Sequence, residues 1–75
     1  MTFDKEIDAS GLACPLPIVR TRKALDGLAS GQVLRMIATD PGSVPDMAAF
    51  AEMGGHTLLH SAEEGGRFVF LLRKA

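Results

Sequence analysis

The apolar residues of this chain switch repeatedly between an alternating and a helical spacing, and that succession constrains the fold more tightly than anything in its composition. Residues 3 to 8 set Phe3, Lys5 and Ile7 against Asp4, Glu6 and Asp8, the pattern of a short, half-polar strand. From Pro15 to about Leu28 the spacing becomes helical. Ile18, Thr21, Ala24, Leu25 and Leu28 share one face, Arg20, Lys23 and Asp26 fall away from it, and Ser30-Gly31 is the expected stop. Val33 to Thr39 is apolar except for Arg35, as in a mostly buried strand. Asp40-Pro41-Gly42-Ser43 is a turn, and Ser43 with Asp46 three residues later reads as a capping box opening a second helix. That helix presents Val44, Met47, Phe50 and Ala51 and stops at Gly54-Gly55. Residues 56 to 63 and 67 to 73 are two strands joined at Glu64-Gly65-Gly66.

The order strand, helix, strand, helix, strand, strand leaves few topologies. Two strand–helix–strand crossovers of the usual hand put both helices on one face of the sheet, and the last two strands close as an antiparallel hairpin. The expected fold is therefore a two-layer α/β (α+β) sandwich with a mixed four-stranded sheet. Its second face has no helix to cover it, yet the final strand alternates Phe68, Phe70 and Leu72 with Val69 and Leu71. Two explanations stand open: neighbouring side chains cover that face, or a partner does.

Seventy-five residues suit one domain, spanning 1–75, near the lower limit for folding without covalent staples. One cysteine makes no internal disulfide, so stability must come from the 47% of residues that are hydrophobic. A net charge of −1 and the absence of Trp and Tyr argue against a nucleic-acid or anionic-membrane partner. The first residues lack the profile of a signal peptide, and with a lone unpaired cysteine the expected compartment is the reducing cytoplasm.

That cysteine, Cys14, precedes Pro15-Leu16-Pro17 at the start of the first helix. Gly11-Leu12-Ala13 leads out of the first strand, Pro15 suits the first helical position, and Cys14 is then the N-cap. Pro17 has no N–H to offer the sulfur, which leaves Leu16 and, further on, Ile18. Gly11, Pro15 and Pro17 thus shape the loop, and the helix N-terminus is expected to favour thiolate at an accessible sulfur. The plain alternative is a buried, inert cysteine. Asp8, Asp40 and Asp46 are candidates to flank the loop, with Asp40 opening its turn and Asp46 capping its helix; a carboxylate close to Cys14 would instead oppose thiolate. Arg20, Arg22 and Lys23 read as a solvated helix face or as a basic docking patch. His56 and His60 lie too far apart along a strand to share a metal ion, so no metal site is expected from them or from Cys14. Met36, Met47 and Met53 read as core.

Asp8-Ala9-Ser10-Gly11-Leu12-Ala13-Cys14-Pro15-Leu16-Pro17 resembles the N-terminal signature of the TusA/SirA-like sulfur-carrier family, Gly-Leu-x-Cys-Pro-x-Pro after a first strand. The likeness extends through the element order, the Asp40-Pro41 turn, Asp46 and the closing Arg73-Lys74. It implies that Cys14 accepts sulfane sulfur as a persulfide from a donor such as a cysteine desulfurase or a rhodanese. The sulfur would then pass to an acceptor protein in tRNA thiolation, cofactor assembly or sulfur oxidation. The implied protein is a monomeric relay without a cofactor, not an enzyme of independent turnover, and its chemistry requires no general base. Competing readings are a non-catalytic interaction or regulatory module using the open sheet face, and a thiol redox protein, which would need a resolving cysteine from another molecule.

Overall fold

Six elements follow one another in the expected order in the computed structural model, which describes residues 2–75. They are β1 (Lys5–Ala9), α1 (Leu16–Asp26), β2 (Val33–Ala38), α2 (Ser43–Gly54), β3 (Thr57–Glu64) and β4 (Arg67–Arg73). The sheet order is β1-β2-β4-β3, with β1 parallel to β2 and β4 antiparallel to both of its neighbours. The result is the two-layer sandwich with a mixed four-stranded sheet that the periodicity predicts.

Strand β4 lies between β2 and β3, which explains why it is apolar on both sides. Phe70 and Leu72 pack with Ala9, Leu34, Met36 and Ala38 against Ala24 and Leu25 of α1 and Met47 and Ala51 of α2. On the other face Ile37, Val69 and Leu71 are only 7%, 4% and 6% exposed although no helix covers them. The register sets Glu6, Arg35, His60, Ala62 and Arg73 on that same face, and Arg35 forms an ion pair with Glu6. The low exposure of Ile37, Val69 and Leu71 is reached within the chain itself, so neighbouring side chains of the sheet cover them. Of the two explanations left open by the sequence, the first is correct. Of the large exposed apolar side chains, Phe3 lies against the Arg35 guanidinium, and Leu16, Val19, Val44 and Met53 lie on the helices.

Several boundaries differ from the sequence reading. The first helix ends at Asp26 with Gly27 as its C-cap, ahead of Ser30-Gly31; beyond it Leu28 still packs on the core. The ammonium of Lys74 donates to the carbonyls of Leu25 and Leu28 at 2.8 and 2.7 Å, a cation at the negative end of α1. Helix α2 begins at Ser43 with Gly42 as N-cap, and no side-chain cap bond forms. The Ser43 hydroxyl donates back to the Asp40 carbonyl at 2.6 Å, so the capping box is absent and the Asp46 carboxylate is available for another partner. Val44 is exposed where the apolar face was expected to include it, and Ser43 is buried in its place. Met36 and Met47 are core residues, whereas Met53 is 89% exposed.

The C-cap of α2 is Gly55 at φ +72°, a left-handed conformation that costs a side chain through its Cβ. A Cβ there would meet no atom within 4 Å, so the penalty for Gly55→Ala is purely conformational. The expected loss is about 1 kcal/mol, read as a lower urea midpoint with an unchanged denaturant slope.

Candidate functional site

The thiol stands where the β1–α1 loop meets the start of α2. Gly11, at φ +80°, turns the chain out of β1, and its N–H donates to Thr39 Oγ1 at 2.8 Å. The Cys14–Pro15 peptide bond is cis. Pro15 is the N-cap of α1, so Cys14 lies one residue before the position that the sequence assigns to it. Pro17 is buried, and its carbonyl accepts the Thr21 hydroxyl at 2.9 Å. Gly11 thus turns the loop at one end, and the buried Pro17 lies at the other.

Two aspartates from the other half of the chain hold the cysteine. The Cys14 backbone N–H donates to Asp40 Oδ2 at 2.8 Å. Asp40 Oδ1 accepts the Gly42 N–H at 3.2 Å, so one carboxylate ties the loop before α1 to the turn before α2. The Cys14 thiol itself donates to Asp46 Oδ2 at 2.6 Å. Cys14 is exposed, which removes the buried, inert alternative.

The expected stabilisation of thiolate is overturned. Its donors are spent on backbone: the Leu16 N–H bonds the Ala13 carbonyl at 2.9 Å and the Ile18 N–H bonds the Pro15 carbonyl at 3.1 Å. The hydrogen bond to Asp46 pushes the Cys14 pKa above the ordinary thiol value, with smaller contributions from desolvation and from the negative charges of Asp46 and Asp40. At rest the sulfur is a protonated thiol on a carboxylate.

Cys14 opens onto a groove of about 490 Å³ between α1 and α2. Ile18 and Arg22 line it from α1, and Asp46, Phe50 and Met53 from α2. Of the three basic residues singled out in the sequence, Arg22 joins the thiol in this groove. Arg20 and Lys23 are exposed on α1 and do not line it. Met53, read as core from its residue type, instead lines the groove and is exposed.

The two histidines part company because β3 carries a bulge between Leu58 and His60. His56 stacks on Phe50 at 5.5 Å, and its Nδ1 accepts the Ala75 N–H at 3.0 Å. His60 stands near Glu64, with Nε2 and Oε2 3.5 Å apart. Among the described residues no three His, Cys, Asp or Glu side chains gather as metal ligands. Asp8 turns onto Ser10, whose N–H it accepts at 2.9 Å; the Ser10 hydroxyl first and this backbone bond second hold its pKa below the usual carboxylate value. It takes no part at the thiol. No helix among the described residues is long and apolar enough to cross a membrane.

An α/β sandwich that holds one accessible thiol at the end of an interhelical groove defines a class of small single-thiol proteins, and comparison with known proteins narrows it. Residues 5–74 match the family described as Sulfurtransferase TusA. The sulfur carrier protein TusA of Allochromatium vinosum is 60% identical over 73 residues, covering 97% of this chain and 96% of that protein. The protein of the same name from Pseudomonas entomophila is 42% identical over 74 residues, covering 99% and 92%. The crystal structure of a SirA-like protein from Desulfitobacterium hafniense superposes with a TM-score of 0.83 at 26% identity, covering 93% of this chain and 96% of that one. The chain belongs to the TusA sulfurtransferase family.

Proposed function

We propose that this protein is a sulfur carrier that accepts sulfane sulfur on Cys14 as a persulfide and relays it to an acceptor protein. The observation that carries the reading is the exposed Cys14 thiol at the groove mouth, in a chain whose full-length relatives are named sulfur carriers. A relay needs a sulfur that two different proteins can reach in turn, and an open groove beside an accessible thiol meets that need. The donor is a cysteine desulfurase or a rhodanese, and the carrier acts as a single-domain monomer in a reducing cytoplasm, where its one thiol stays unpaired.

Loading is a relative of thiol–disulfide exchange. Cys14 Sγ attacks the outer sulfur of the donor persulfide, and the donor thiolate leaves. In the second step an acceptor thiolate attacks the outer sulfur now on Cys14, and Cys14 becomes the leaving group. The test is intact-protein mass spectrometry after incubation with a desulfurase and cysteine, or with a rhodanese and thiosulfate. Gain of one sulfur atom, removed by reductant, is the expected result; no gain from any donor defeats the reading.

Arg22 is the strongest docking candidate, because it alone of Arg20, Arg22 and Lys23 borders the thiol groove. Reversing a charge at the edge of an interface acts chiefly on the association rate and its salt dependence. Arg22→Glu should therefore slow loading from a protein donor about tenfold at low ionic strength and less at high salt. Loading by a small persulfide, which needs no docking, should change by less than about twofold. Stopped-time mass spectrometry at two salt concentrations reads both.

A further inference from the structure

The protonated thiol raises a chemical question that the carrier reading alone does not answer. Sulfur attack requires an unprotonated sulfur, and the surroundings of Cys14 hold its proton on. The geometry also offers the answer, because the group that receives the S–H hydrogen bond can receive the proton. Asp46 Oδ2 is 2.6 Å from Sγ, within the reach required of a general base. Its carboxylate is not engaged in capping α2. It also lines the same groove through which a substrate sulfur must approach.

We propose that Asp46 is a catalytic proton acceptor in sulfur transfer: its carboxylate takes the proton from Cys14 Sγ as that sulfur attacks, and gives it to the departing thiolate. The step balances without an outside oxidant or reductant. For a donor persulfide R–S–SH, the Cys14 Sγ–H bond and the donor S–S bond break, and a new S–S bond forms between Sγ and the outer sulfur. The outer sulfur keeps its own proton, the electron pair of the broken S–S bond leaves on R–S⁻, and the proton held by Asp46 completes R–SH. The products are Cys14–S–SH and R–SH, with Asp46 again a carboxylate.

The roles of the neighbouring groups are distinct. Asp40, from the turn before α2, is bound to the Cys14 backbone N–H and to Gly42, so it positions the residue and does not touch the sulfur. Arg22, from α1, faces the groove as its cation. Asp8, at the end of β1, is occupied by Ser10. Among the described residues, Asp46 alone combines a titratable oxygen with contact to Sγ.

A thiol and a carboxylate in contact share one proton over a wide pH range, so the reactive pair stays at a nearly constant population across neutrality. A thiol without the carboxylate must lose its proton to solvent, and its rate then rises about tenfold per pH unit below its own pKa. The decisive experiment compares the wild-type protein with Asp46→Asn and Asp46→Glu, each checked for folding by circular dichroism. The electrophile is dipyridyl disulfide, a neutral reagent attacked at sulfur. Taking the ratio of variant to wild-type rate at each pH cancels the reagent's own pH dependence. For Asp46→Asn this ratio should climb about tenfold per unit between roughly pH 6 and 8, and Asp46→Glu should restore a nearly level profile. Ultraviolet titration of thiolate should show a lower midpoint in Asp46→Asn. A ratio that does not change with pH, or a thiolate midpoint unmoved by the substitution, overturns the proposal. The identity of the substrate as a persulfide rests on the carrier reading, but the disulfide reagent makes no use of it. Failure of desulfurase or rhodanese to load a protein with the expected disulfide profile would sink the carrier reading and leave the role of Asp46 standing.

Discussion

Cys14→Ser is expected to abolish sulfur acceptance completely while leaving the domain folded. The side chain is exposed and belongs to no part of the core, so the change removes no packing. A serine hydroxyl can still donate to Asp46, which keeps the local hydrogen bond that the thiol makes. The expected stability change is within about 0.5 kcal/mol, the usual range for surface substitutions outside special sites. The chemistry is lost for a different reason. A hydroxyl is a far weaker acid than a thiol, and its oxygen does not form the S–S bond that stores the sulfur. Intact mass after incubation with donor should show no added sulfur in the variant, and a thermal melt should coincide with that of the wild-type protein. Sulfur gained by Cys14→Ser would locate the carrier atom elsewhere in the chain. A variant that unfolds would show that the loop needs the sulfur itself.

The contrast between Cys14 and Asp46 shows what a sequence reading can reach. Cys14 is legible because it is the only cysteine and stands in a compact signature where Gly11, Pro15 and Pro17 each have a backbone role. The element order is equally legible, since strand and helix periods differ and each change of period is bounded by glycine or proline. Even the pairing of β3 with β4 follows from Gly65-Gly66, which both take positive φ in the two-residue turn. Asp46 was recognisable as a residue near the loop, but its role was not. Local pattern assigned its carboxylate to a capping box, and nothing local could show that α2 starts one residue early with Gly42 as N-cap. The contact that matters joins residues 32 apart in sequence. It depends on how α1 and α2 lie on the sheet, which is settled by packing and not by any one segment's preference. The same limit explains the error at Met53: a methionine suits a core by its chemistry, and only the tertiary arrangement decides that this one lines the groove instead.

That dependence of the site on packing leads to the second large effect, Phe70→Ala. Phe70 is the bulkiest of the fully buried side chains, on one of the two interior strands, and it packs in the core that joins sheet to helices. Removing its ring leaves a cavity beneath both helices, and such truncations cost about 3–5 kcal/mol. Small domains of this length hold on the order of 4–11 kcal/mol in total, so the variant should lose a large part of its stability and could no longer be fully folded at physiological temperature. The site should suffer before the fold is lost. Met47, adjacent in sequence to Asp46, is buried in the same core, and its sulfur lies 3.7 Å from the Thr21 hydroxyl of α1. This contact connects α1 to α2 at the residue next to Asp46. A cavity at Phe70 loosens the core that fixes Met47 and with it the separation of α1 from α2. Urea unfolding should show the midpoint falling sharply, and at temperatures where circular dichroism still reports a folded chain the thiolate titration of Cys14 should shift toward that of Asp46→Asn. A stable Phe70→Ala protein with an unchanged titration would mean that loop and turn, through Asp40, hold the pair without the core; a shifted titration would make the packing of sheet against helices a condition of the chemistry at Cys14.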